Sequence, residues 1–178
     1  MAEAFSNKVA RASGIVTSTT GGAIGITTNL ITGISTVHVA VNDLVDTGNF
    51  ILGTKVTNIG VSSVTCDRDS TNTAAATNQS VKFLGVTTAY TSTGTKSILV
   101  GGTFANNTSN SVNLTVQVWD NSASTEVAIA GKIPVPNGSS FVITDAGKTV
   151  LESSDEVRIY CDTANAIDAT LSILTGVS

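Results

Sequence analysis

Apolar residues return at every second position through much of this chain, and nowhere do they hold the three-and-four spacing of a long helix. The clearest case is "NSVNLTVQVWDNSAST", residues 110–125. Val112, Leu114, Val116 and Val118 point one way, and Asn113, Thr115, Gln117 and Trp119 point the other. This predicts a half-buried strand running into a polar turn. The only tryptophan falls on the side that should meet water, so either a partner covers it or a bulge shifts the alternation. The last run alternates as cleanly, with Ile167, Ala169, Leu171 and Ile173 set against Asp168, Thr170, Ser172 and Leu174.

The same reading applied along the chain divides it into four parts. Residues 1–13 form an N-terminal arm, in which Phe5 and Val9 stand four apart and allow a short amphipathic helix, marginal by itself in water. From 14 to 88, short runs rich in Val, Ile and Thr are cut by Gly, Asn and Asp: "GIVTSTTGGAIGITTN", "STVHVAVND", "GNFILGTKVTNIG", "SSVTCDRDS" and "QSVKFLGVTT". They predict a β-barrel or sandwich domain. Residues 89–97, "AYTSTGTKS", are polar and read as a linker. Six or seven further strands from 98 to 178 are separated by turns at 106–107, 120–121, 136–138, 145–147 and 153–155, and suit a second sandwich. The predicted fold is therefore all-β, two small antiparallel sandwich or barrel domains in tandem behind a short arm.

Composition narrows the possible functions. Of 178 residues, 41% are hydrophobic and only 12% charged, with a net charge of −4 and a mean hydropathy of +0.27. A free monomer usually shows about a quarter charged residues on its surface, so the apolar excess points to surface hidden in an assembly. The nine Lys and Arg are scattered, and the pI is near 4.7, which argues against nucleic-acid binding. The most apolar segment, "SILVGGTF", is far shorter than the roughly 20 residues of a spanning helix. The opening "MAEAFSNKVARASG" has no apolar core of a signal peptide.

Residues able to do chemistry are few. His38 is the single histidine, placed in "STVHVAVND" where an alternating strand needs a polar outward residue. No nucleophile elbow, zinc-protease motif, phosphate loop or dinucleotide fingerprint occurs. The acids at 43, 46, 67, 69, 155 and 156 lack the spacing of a calcium loop and read as turn residues. Cys66 and Cys161 each share a side with apolar neighbours and are expected to be buried and reduced. No catalytic residue, metal or cofactor is predicted. Phe5, Val9 and Trp119 are the candidate interface residues, because tryptophan in particular is over-represented among interface hot spots.

Two stretches also bear a family likeness. Residues 30–85, with "VNDLVD", "GTKVTNIG", "VTCDRDSTNT" and "VKFLG", resemble a β-rich module of structural proteins of tailed bacteriophages, especially cyanobacterial myoviruses. Residues 97–174, where "VNLTVQVWD" leads to "IPVPNGSSFVI" and "KTVLESSDEVRIYCDTANAIDATLSIL", resemble small sandwich domains of phage virion proteins. The resemblance implies a non-enzymatic structural component located in the virion. It would be an accessory capsid decoration or a neck or tail protein, present in many copies or as a homo-oligomer. Its partners would be capsid, neck or tail subunits rather than nucleic acid or membrane. The alternative is a host-receptor or glycan-binding module, in which Trp119, Tyr90 or Tyr160 would line a groove with Asn106 and Asn107.

Overall fold

The computed structural model describes residues 3–94, 96–144 and 149–177 and is built from fifteen strands, with no helix among those residues. The turn expected at 145–147 lies outside the described residues. All strand pairings are antiparallel.

The chain divides into two units, but not in tandem. One unit joins the segment ending at Gly14 to the chain from Thr87 onward, and the other is the intervening Ile15–Val86. The first 13 residues are therefore no arm: β1 (Ala4–Ser13) is a strand paired with β15 (Ile167–Thr175). A spacing of four places Phe5 and Val9 on one face of a strand as well as of a helix, and the ladder offered by β15 decides between them. The expected linker is not one either, since β8 (Thr87–Thr91) runs into it and pairs with β14 (Glu156–Cys161).

The outer unit is a sandwich. One sheet runs β1-β15-β9-β12, with β9 at Lys96–Asn106 and β12 at Ser140–Ile143, and β13 (Thr149–Glu152) also pairs with β9. The other runs β11-β10-β14-β8, with β10 at Val112–Asp120 and β11 at Thr125–Val135. Leu99, Phe104, Leu171 and Ile173 from the first sheet and Val112, Leu114, Val116, Val157 and Ile159 from the second share one core. Both alternations singled out in the sequence supply this core. Burying a Val, Leu, Ile or Phe side chain contributes about 1.5–3 kcal/mol.

Gly14 is the exit point, and only glycine fits there. Its φ is +122°, and a Cβ would lie 2.3 Å from the Thr163 carbonyl oxygen. Its N–H donates to Thr87 Oγ1 at 3.4 Å, so the chain leaves and re-enters this unit at neighbouring points.

The inserted unit is one six-stranded sheet in the order β4-β7-β2-β3-β6-β5. These strands are β2 (Ile15–Ile24), β3 (Leu30–Thr32), β4 (Leu44–Asp46), β5 (Val56–Ile59), β6 (Ser63–Cys66) and β7 (Ala76–Gly85). Ile24, Ile31, Val56, Val64, Val81 and Phe83 form its core. The end strands approach through a lone Leu44–Lys55 bridge and through the Val45 N–H to Thr54 and Val56 N–H to Asp43 bonds, at 2.8 and 3.0 Å. That is short of a ladder, so the sheet does not close into the barrel held open as a possibility. "STVHVAVND" is not a strand: Val37 and His38 sit exposed in a turn, His38 with φ of +66°, and only Val39 reaches the core.

Candidate functional site

The three candidate contact residues do not form one patch. Phe5 and Val9 lie on β1, at the edge of the five-stranded sheet, and are 75% and 73% exposed. Trp119 lies on β10 in the four-stranded sheet and is half-buried.

Around β1 the register builds a larger surface. Phe5 stands opposite Leu174, Leu174 opposite Ile98, and Ile98 opposite Val150, an apolar row across four strands. Two pairs further along, Val9 faces Thr170, Thr170 faces Thr103, and Thr103 faces Val142. Phe5, Val9, Val142 and Val150 are all exposed. Between the rows lies an open depression of about 400 Å³ over Gly101 and Gly102. Bordered by Arg11 and by the Lys96–Glu152 pair, the outer face of this sheet thus presents a stretch of Phe, Val, Thr and Gly. Beyond β1 the sheet has no further strand among the described residues, which leaves one row of backbone donors and acceptors unpaired by strand.

On the four-stranded sheet, Trp119 is a partly covered ring, and its cover comes from within the chain. The Arg158 guanidinium carbon lies 4.5 Å from the Trp119 ring centroid, a cation–π contact. The same guanidinium donates from Nε to Glu156 Oε2 at 2.7 Å and from Nη1 to Glu126 Oε1. Tyr160 Oη donates to the Glu126 carboxylate at 3.3 Å, and Thr88 Oγ1 donates to Glu156 at 3.1 Å. The register explains the meeting: Trp119 is opposite both Glu126 and Glu156, and Gln117 is opposite Arg158. Thr115 and Gln117, expected to face water, are buried, while the Gln117 Oε1 atom has no hydrogen-bond partner among the described residues. This face is a second, polar core. Arg158 lies 32 residues from Glu126, and Glu156 lies 68 from Thr88, and alternation alone carries no sign of those pairings.

Electrostatics follow from the burial. Removal from water pulls the Arg158 guanidinium down, but the bonds to Glu156 and Glu126 outweigh this and raise it, so it stays charged. Burial pushes the Tyr160 phenol up, and the Glu126 charge adds to the effect. An arginine held by two carboxylates under an indole has no proton to exchange near neutral pH.

The other residues with chemical potential are engaged in structure. The His38 carbonyl accepts a hydrogen bond from Thr17 Oγ1 at 3.0 Å, and His38 itself lies in an exposed turn. Cys66 and Cys161 are buried thiols that form no disulfide. Asp43 is buried beneath its own turn, its Oδ2 accepting from the Ala40 N–H at 2.8 Å; burial raises its pKa and that bond lowers it, with burial the larger. Among the described residues, no group of three or more His, Cys, Asp or Glu is placed to hold a metal ion.

Of the residues suggested for a glycan groove, Tyr160, Tyr90 and Asn106 are engaged within the fold, whereas Asn107 is exposed. Tyr160 is fully buried, and Tyr90 is buried with its hydroxyl 2.8 Å from Ser97 Oγ. The Asn106 amide N–H group donates to the carbonyls of Asn110, Val135 and Pro136, and its Oδ1 accepts from Thr108. Asn106 therefore pins a strand end.

No family model, curated protein or solved structure matches this chain.

Proposed function

We propose that the protein is a non-enzymatic structural component of a tailed-phage virion, an accessory decoration or a neck or tail protein that binds a repeated protein lattice. One observation carries the reading: the outer face and open edge of the five-stranded sheet, where Phe5, Val9, Val142 and Val150 stand exposed on a sandwich with its own packed core. An apolar face on a packed core suits repeated docking, because association then orders little and the gain from burying area is kept. The low proportion of charged residues and the likeness of residues 30–85 and 97–174 to phage structural modules support the same reading. The glycan-binding alternative is weakened by the burial of Tyr90, Tyr160 and Asn106.

The test is peptide mass spectrometry of density-banded phage particles from a lysate in which the chain is produced. The reading predicts its peptides in the particle band at a constant, multi-copy ratio to the major capsid protein. Peptides confined to the soluble fraction would overturn it.

A further inference from the structure

We infer that β1 is a self-pairing edge, through which two copies of this chain join their five-stranded sheets into one continuous ten-stranded sheet. The proposal deepens the assembly reading by naming a first partner for the edge, a second copy of the chain.

The odd positions of the strand carry the argument. Phe5, Asn7, Val9 and Arg11 alternate along the exposed side of β1, Glu3 stands just before its first residue, and all five are exposed. About Asn7 this series is matched in charge and polarity: an acid lies four residues before it and a base four after, with an apolar residue two away on each side. A two-fold axis perpendicular to the sheet at Asn7 sets an antiparallel strand against itself. It puts Glu3 opposite Arg11 twice, Phe5 opposite Val9 twice, and the two Asn7 amides together on the axis. On the other face the same register puts Ala4 opposite Ala10 and Ser6 opposite Lys8.

Neighbouring registers are worse. A two-fold at Lys8 sets lysine directly opposite lysine and Phe5 opposite Arg11, and a two-fold at Ser6 sets Glu3 opposite Val9. Opposite-charge and apolar cross-strand pairs favour pairing, and like charges directly opposite oppose it. The charge pattern thus selects one register, and it is one that leaves the protective Lys8 without a like-charged residue directly across from it.

The regular ladder of β1 on β15, from Ala4 to Ala10, is centred on Asn7, and Glu3 and Arg11 flank its two ends. Register slips between Ala10 and Ser13, where Ala12 adopts φ of +54° and donates its N–H to Asp168 Oδ1 at 2.7 Å. The bulge comprises Arg11 and Ala12, which together stand against Asp168, so the regular edge runs from Ala4 to Ala10 and Arg11 is the first residue past it. Within the pair, the row Val150–Ile98–Leu174–Phe5 of one copy continues into Val9–Thr170–Thr103–Val142 of the other, so the apolar face described above becomes a single wider one.

The test is sedimentation equilibrium of the full chain, as wild type, Arg11→Glu, Glu3→Arg and the double exchange. The wild type is expected to dimerise in the micromolar range, as suits an interface smaller than ~800 Å² per partner. Each single reversal should weaken the dimer about tenfold, since it sets like charges opposite each other twice, and the double exchange should restore it. All three variants alter exposed side chains, and circular dichroism melting verifies that they fold alike. A monomer at every concentration, or a dimer indifferent to the exchanges, would overturn the proposal. A monomer that still appears in banded particles refutes self-pairing and leaves the virion reading standing; the exchange behaviour without particle incorporation supports self-pairing and counts against the virion reading alone.

Discussion

Arg158 shows what a single side chain decides here. Its partner Glu126 has a side chain only 2% exposed, so removing the guanidinium leaves a buried carboxylate without the arginine's charge, although Tyr160 Oη still donates to it. Arg158→Met is expected to destabilise the outer unit by about 3 kcal/mol or more, as for other broken buried pairs. Arg158→Met with Glu126→Leu should recover much of the loss in urea unfolding, because the stranded charge then goes too. Cys66 gives a pH signature instead. Burial, helped by the adjacent Asp67 charge, pushes its thiol from 9.0 up to about 12. The fold therefore holds the proton more tightly than the unfolded chain does. That stability is complete below pH 9 and is lost as pH rises from 9 towards 12. The melting temperature should fall over this range and fall less in Cys66→Ala, while a reductant at neutral pH should leave it unchanged, since there is no bridge to break.

At the scale of elements, β1 is where reading from sequence went furthest astray. As an arm, residues 1–13 would be dispensable to folding. As a strand they cover β15 along its length, from Ala4 opposite Thr175 to Ser13 opposite Ile167, and Ala10 packs on the core. Deleting them should expose the unpaired edge of β15 and lower the melting temperature of the outer unit, or leave the protein insoluble. A truncated protein that melts like the full chain would contradict the ladder. The internal strands were easier to read: Val112 to Val118 and Ile167 to Ile173 alternate because one face of each meets the core, and the pleat has a period of two. What that period could not reveal is that the other face of β10 is covered too. Thr115 and Gln117 look like solvent positions until Tyr160 and Arg158 are set beside them.

At the scale of the whole molecule, the decisive feature is an insertion. Gly14 and Thr87 are neighbours within the outer unit, joined by the Gly14 N–H to Thr87 Oγ1 bond. Within the inserted unit Ile15 pairs with Gly85, so its two ends are neighbours as well. Domain insertions are tolerated where the ends lie close together. Excising residues 15–86 and splicing Gly14 to Thr87 through a short Gly-Ser link should therefore leave a cooperatively folding sandwich, and residues 15–86 alone should fold around their own core. Loss of near-ultraviolet dichroism from Trp119 in the spliced protein would show that the outer unit needs its insert.

By itself the sequence determined the class of fold, the strand interiors and the burial of both cysteines. Each of these depends on local alternation or on residue type, which are written in order along the chain. The tertiary structure alone decided that residues 1–13 belong with the C-terminal strands, that 15–86 is an insert, and that Trp119 lies beside Arg158 between two glutamates. Those outcomes depend on which strands become neighbours. The hydrogen-bonding edges of a strand are chemically alike whatever its sequence, so partner choice is settled by packing between segments far apart in the chain.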